Sequence, residues 1–352
     1  MVYFTLEPKK KKEDFFNMEE ELCTFVKSLD KFRLIVVKGL RRYGKTSLIH
    51  TGLNLAKVDH LFIDCRLLPL TTASFNDFLS IIEAEASRNK KVRELMKDIE
   101  HIEIGGLIKF RIRRPETLIK FLESLKDIVI VLDEAQELRR LRFRLDYFLA
   151  YALDNLNIRI VVSGSQVGFL HDFLKLRDPR SQLFGRVAVE IDTPHLTEQQ
   201  AEDYLRKGFK QVGIRPEERL LERTIRELDG IIGWLTYIGV KAVDRGMFTD
   251  DILEDALESG AALARQEFEN FLEVHHPGRQ RYERILEQAA RAGRATWKEL
   301  KRSLEAEEGR RIPDARVSGL LKNLVGGGFL KKNEDGSYSV ADPMLSRAFH
   351  RG

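Results

Sequence analysis

At 352 residues the chain exceeds one ordinary domain and fits two or three, and 43% apolar residues suffice for globular cores. No apolar run approaches the length of a membrane-spanning helix, and two cysteines without CxxC spacing, Cys23 and Cys65, exclude a disulfide framework or a zinc site. The net charge is +4, but the stretch Arg279–Gly352 alone carries +6, which points that segment towards an anionic partner or a solvated surface. The opening MVYFTLEPKKKKEDFF lacks an apolar signal region and reads as a cytoplasmic start, with Lys9–Lys12 as a solvated charge run.

The first predicted strand, RLIVVKG (Arg33–Gly39), runs into a loop and then a helix at Thr46–Ala56. The spacing Gly39-x-x-x-x-Gly44-Lys45-Thr46 in that strand–loop–helix context is the phosphate-binding loop. Glycines let backbone N–H groups approach phosphates at the positive end of a helix dipole. Lys45 would reach the β- and γ-phosphates of ATP, and the Thr46 hydroxyl would ligate Mg²⁺. Two arginines, Arg41 and Arg42, are unexplained extras in this loop.

HLFIDC (His60–Cys65) reads as a second strand, Ser74–Arg88 as an amphipathic helix, and His101–Arg113 as a hairpin around Gly105–Gly106. DIVIVLDEAQEL (Asp127–Leu138) is a buried strand ending in two acids. Asp133 would hold Mg²⁺ and Glu134 would deprotonate the attacking water. NIRIVVSGSQ (Asn157–Gln166) ends with Ser163 and Ser165, either of which suits a γ-phosphate or water sensor, or a plain polar turn. In DPRSQLFGR, Arg186 fits a group that stabilises transferring phosphoryl charge, or else a structural ion pair. With VAVEI (Val187–Ile191) as a fifth strand, the alternation predicts an α/β core around a mainly parallel sheet.

Beyond Pro194 the pattern is helical to about Val274. HHPGRQ (His275–Gln280) reads as a linker, followed by three helices and a hairpin about Asn333–Gly336, the make-up of a winged helix. In PDARVSGLLKNLV, Val317, Leu320, Leu321 and Leu324 share an apolar face, while Arg316, Gly319 and Asn323 share another beside Lys322. Arg310, Arg311, Arg316 and Lys322 are candidate DNA contacts of a recognition helix, with Lys331 and Lys332 on the wing; a protein-contact role is the alternative.

Several segments in order, RRYGKTSLI, FIDCR, VIVLDEAQEL, VVSGSQVGFL, DPRSQLFGR, DGIIGWLTYIG and VADPMLSRAF, resemble the archaeal ATPase family within the STAND class of P-loop NTPases, relatives of the AAA+ proteins. The resemblance implies a P-loop core with a mainly parallel five-stranded sheet (1–194), a helical lid (195–275) and a winged helix (279–352). It makes Gly39, Arg42, Tyr43, Gly44, Lys45, Thr46, Ser47 and lid residue Ile232 candidate contacts for ATP or ADP, and an arginine-bearing loop a family feature. Two positions depart from the family pattern. Met18 stands where an arginine near the adenine is expected, and Ile232 replaces the proline of Gly-x-Pro-Gly-Trp-Leu, in which Trp234 also fits a core aromatic. The function implied is an ATP-hydrolysing switch whose nucleotide state repositions a winged helix acting on DNA or a protein. The alternatives are a DNA-binding regulator with structural nucleotide and a small-molecule kinase.

Overall fold

A computed structural model describes residues 3–69, 72–89, 92, 94, 101–104, 107–110, 115–125, 127–143, 145–176 and 178–350. The chain forms two compact units, one of Lys9–Leu40 with Lys45–Thr193, the other of Met1–Pro8, Arg41–Gly44 and Pro194–Gly352.

The first unit is a three-layer α/β fold. Its elements are α1 (Glu19–Lys31), β1 (Leu34–Lys38), α2 (Lys45–Ala56), β2 (His60–Asp64), α3 (Phe75–Arg88), β3 (His101–Ile104), β4 (Leu107–Phe110), α4 (Pro115–Ser124), β5 (Val129–Asp133), α5 (Leu145–Asn155), β6 (Arg159–Gly164), α6 (Val167–Leu174) and β7 (Ala188–Asp192). Five parallel strands lie in the order β2-β5-β6-β1-β7. Their side chains alternate between two cores, as the pleat requires. Leu34 and Val36 join Ile63, Phe78, Phe121 and Leu149 on one face, while Ile35 and Val37 join Phe25, Leu29, Leu48 and Leu53 on the other. Burial on both faces explains why the strands read as continuous apolar runs. β3 and β4 pair antiparallel as the hairpin reading expects, while its turn residues Gly105 and Gly106 lie outside the described residues.

Strand β6 lies between β1 and β5, so Ser163 near its end and Ser165 just beyond it stand beside the end of β1 and the two acids at the end of β5. The Lys9–Lys12 run is more than solvated charge. Ser47 Oγ accepts from Lys9 N at 3.0 Å, and Asn54 Nδ2 donates to Lys10 O at 2.8 Å, so its backbone is tied to α2. The Met18 side chain is 2% exposed and packs with Phe15, Leu22 and Phe25.

The second unit holds α7 (Glu198–Val212), α8 (Glu218–Leu228), α9 (Ile232–Arg245), α10 (Asp250–Val274), α11 (Arg279–Ala292), α12 (Trp297–Glu308), α13 (Asp314–Gly326), β8 (Leu330–Lys332), β9 (Tyr338–Val340) and α14 (Pro343–His350). Capping boxes at Thr197/Gln200 and Thr296/Glu299 start α7 and α12. Helices α11–α13 with the β8–β9 hairpin make the expected winged helix, and Ala295 forms an isolated antiparallel bridge with Tyr338.

The expected linker at His275–Gln280 is not one. A 3₁₀ turn at His276–Gly278 joins α10 to α11 directly, and the His275 ring stacks on Phe271 at 4.1 Å. Phe268 meets Phe329 and Phe349 at 5.2 and 5.7 Å, so α10 and the winged helix share one aromatic core. Among the described residues no helix is long and apolar enough to cross a membrane.

Candidate nucleotide site and winged-helix surface

The loop after β1 is shaped by three residues with positive φ: Gly39 (152°), Arg42 (65°) and Gly44 (82°). Gly39 has no alternative, because a Cβ there would stand 2.1 Å from Thr193 Oγ1. The lysine at the start of α2 is buried, and Lys45 Nζ donates to Leu40 O at 2.8 Å across the loop. Thr46 Oγ1 donates to Asp133 Oδ2 at 3.0 Å, so the hydroxyl of the loop and the first acid of β5 converge. Ser163 Oγ donates to the other oxygen, Asp133 Oδ1. Burial, with the neighbouring charge of Glu134 second, pushes the Asp133 carboxyl above its usual range; the two hydroxyls and Lys45 oppose that rise.

Glu134 follows in a left-handed conformation, φ 52° and ψ 45°, at the start of a 3₁₀ helix, Ala135–Arg140. Its Oε2 accepts from Ser165 Oγ at 2.5 Å and from Gln136 Nε2 at 2.6 Å. Both sensor candidates are therefore brought to the acids: Ser163 to Asp133 and Ser165 to Glu134. Among the described residues no cluster of three or more His, Cys, Asp or Glu could hold a metal. What exists is one carboxylate and one hydroxyl, hard oxygen donors of the kind Mg²⁺ takes alongside phosphate oxygens and water.

Arg186 does not join this group. It precedes β7, whose first residue Ala188 is level with Leu34 at the start of β1, whereas Lys45 follows the far end of β1. The Arg186 guanidinium pairs with Asp154 of α5, the structural alternative raised by the sequence. Ser47 is engaged by the Lys9 amide.

The remaining nucleotide candidates, Arg42, Tyr43 and Ile232, belong to the second unit. Arg42 forms a fork with Glu267 of α10, Nη1 to Oε2 at 3.0 Å and Nη2 to Oε1 at 2.6 Å, and lies 3.8 Å from an oxygen of Asp342. Its guanidinium stacks 3.8 Å over the Trp234 ring, and its carbonyl accepts from Gly233 N at 2.9 Å. Trp234 is a buried core aromatic that donates from Nε1 to Asp342 at 3.0 Å. Arg41 also reaches Glu267, at 3.3 Å. Burial pushes the Tyr43 hydroxyl up to about 12, with help from Asp229 and Asp342. Ile232 opens α9 and is half-buried. Gln136, Glu267 and Asp342 escaped the sequence reading. Gln136 could have been suspected from its place directly after Asp133-Glu134-Ala135, but the two acids lie more than two hundred residues from Arg42.

On the winged helix, Arg310, Arg311, Arg316 and Lys322 are all exposed, and Arg310 also donates to Glu308 at 3.0 Å. Asn323 departs from the expected outward face: its Nδ2 donates to Tyr282 OH at 2.8 Å. A cavity of about 360 Å³ opens beside α13, lined by His275, Tyr282, Arg316, Gly319 and Asn323 among others.

The family model described as an ATPase domain predominantly from Archaea matches residues 15–238. The model of the MCM protein C-terminal winged helix-turn-helix domain matches residues 277–341. No curated protein matches the sequence. Among solved structures, a Walker-type ATPase of Pyrococcus abyssi is 30% identical, covers 99% of this chain and 100% of its own, and superposes with a TM-score of 0.84. The ORC2 protein of Aeropyrum pernix, solved in ADPNP–ADP complexes, is 14% identical over 98% of this chain and 97% of its own, at a TM-score of 0.63. That second likeness is one of fold.

Proposed function

The chain belongs to the family of ATPase domains found predominantly in Archaea and carries a C-terminal winged helix; on that premise we propose that it binds and hydrolyses ATP and passes its nucleotide state to the winged helix. The observation that carries the reading is the convergence of Thr46 with Asp133 at 3.0 Å, with Glu134 next in the chain. These donors fit Mg²⁺, which when bound supplies positive charge to the β- and γ-phosphate oxygens.

Lys45 exchanges the Leu40 carbonyl for a phosphate oxygen, which its ammonium binds more strongly as a charged acceptor. Glu134 accepts a proton from water as the water oxygen bonds to the γ-phosphorus. The bond from that phosphorus to the β–γ bridging oxygen breaks, giving ADP and phosphate, and the proton leaves Glu134 with the product or solvent. Arg42 supports the transfer of state: a residue of the phosphate loop is bound to Glu267 of α10 and lies beside Asp342 at the entry to α14. The exposed Arg311, Arg316 and Lys322 support DNA as the anionic partner.

Glu134→Gln tests the reaction. Glutamine keeps the size and hydrogen-bonding capacity but is a very poor base, so ATP should bind normally while phosphate release falls roughly 10²–10⁴-fold. Undiminished release would remove Glu134 from this role, and a wild-type protein that binds ATP without releasing phosphate would favour a regulator with structural nucleotide. Lys45→Ala should abolish tight ATP binding in the same titration.

A further inference from the structure

We infer that Gln136 and Ser165 are positioning residues for Glu134, together holding one oxygen of its carboxylate and so setting where it meets the attacking water. The inference rests on the hydrolytic reading above. Three donors converge on Glu134 Oε2: Ser165 Oγ at 2.5 Å, Gln136 Nε2 at 2.6 Å and the Ser165 backbone N at 3.2 Å. A glutamate has three rotatable side-chain bonds, and a general base must lie within hydrogen-bond reach of its proton. Fixing the carboxylate beforehand removes that freedom from the reaction barrier.

The surroundings are built around this hold. Gln136 is 1% exposed and Ser165 1%, so neither amide nor hydroxyl serves solvent. The amide must turn its nitrogen to Glu134, because its oxygen would repel a carboxylate. The oxygen then points at Gly164, where a Cβ would stand 2.6 Å from it. The stretch Ser163-Gly164-Ser165 therefore serves both acids. Ser163 reaches Asp133, Ser165 reaches Glu134, and the glycine between them admits Gln136. The left-handed backbone at Glu134 is of the kind that persists only where neighbours over-determine it.

The test uses the full chain and variants Gln136→Met, which keeps the volume without the donor, Ser165→Ala and Ser165→Thr. Steady-state phosphate release, ATP affinity by equilibrium titration and the thermal midpoint are measured for each. Gln136→Met and Ser165→Ala should lower kcat roughly 10- to 100-fold, the scale of a misplaced catalytic group, with KM and ATP affinity unchanged. Ser165→Thr, which retains the hydroxyl, should recover most of the loss. In the Glu134→Gln background, single-turnover assays should show no further loss from Gln136→Met, because the amide acts only through the base. An unchanged kcat, a parallel loss of ATP affinity, or a full additional loss on top of Glu134→Gln would each overturn the inference. A wild-type chain without turnover, or one indifferent to Glu134→Gln, would instead sink the hydrolytic premise and this inference with it.

Discussion

Arg42 sits at φ 65° with its guanidinium forked onto Glu267 and stacked over Trp234, in contacts that lysine cannot reproduce. Arg42→Ala leaves Glu267 and Asp342 without their main cation and should lower stability by about 2 kcal/mol, the sum expected for a partly buried charge-assisted pair with a cation–π contact. Arg42→Lys should recover only part of it, as read by thermal denaturation. Asp342 adds a pH signature. Loss of hydration holds its carboxyl above 3.8, opposed by Arg42 and by hydrogen bonds from Met344 N and Trp234. A carboxyl raised in the fold contributes stability below its unfolded value, and that contribution is lost as pH rises through the folded value. Asp342→Asn lacks this dependence. The thermal midpoint of the wild type relative to Asp342→Asn should therefore rise as pH falls from 7 towards about 4. A constant difference would mean that Asp342 is not held in its protonatable state by the fold.

Strand β1, its loop and α2 were legible because each signal there is local: an apolar run, two glycines at fixed spacing and a helical repeat. The same holds for β5 with its acids and for the winged helix. The corner at His275–Gln280 was misread because proline and glycine mark a turn without saying what packs on it. The stack of His275 on Phe271 and the edge contact of Tyr282 with Phe271 at 5.4 Å are tertiary facts. Arg186 stayed open between a phosphoryl-stabilising group and a structural ion pair for a related reason: only the register of β7 on β1 tells which end of the sheet it stands at, and there it pairs with Asp154. Helix α13 retains its predicted apolar face, with Val317, Leu320, Leu321 and Leu324 all buried. Its exposed Arg316 and Lys322 should make the protein bind duplex DNA weakly, with affinity falling steeply as salt rises. Arg316→Ala and Lys322→Ala should each weaken binding and flatten the salt dependence, as measured by fluorescence anisotropy. No binding at low salt would favour a protein partner.

Helix α10 and the winged helix cannot be separated at the corner between them without opening a shared core. Phe268 is fully buried and Phe271 nearly so, against Phe329, Phe349 and Tyr282. Exposing a large apolar side chain costs about 1.5–3 kcal/mol. A chain ending at Val274 should therefore melt several degrees lower and bind a hydrophobic dye, and Trp234 Nε1 would lose Asp342 as acceptor. A truncated chain with the wild-type midpoint would mark the winged helix as an autonomous module.

The grip of Glu267 and Asp342 on Arg42 also imposes a thermodynamic symmetry. The loop proposed to present its amides to phosphate is the loop whose arginine is held beside the entry to α14. On the proposed function, any ligand of the winged helix that strains or relaxes this grip changes the free energy of nucleotide binding, and linkage makes the effect equal in both directions. A duplex that tightens ATP tenfold must itself be held tenfold more tightly by the ATP form than by the empty one, a coupling of about 1.4 kcal/mol. An ADP form that leaves the grip untouched would bind the same duplex no better than the empty protein does.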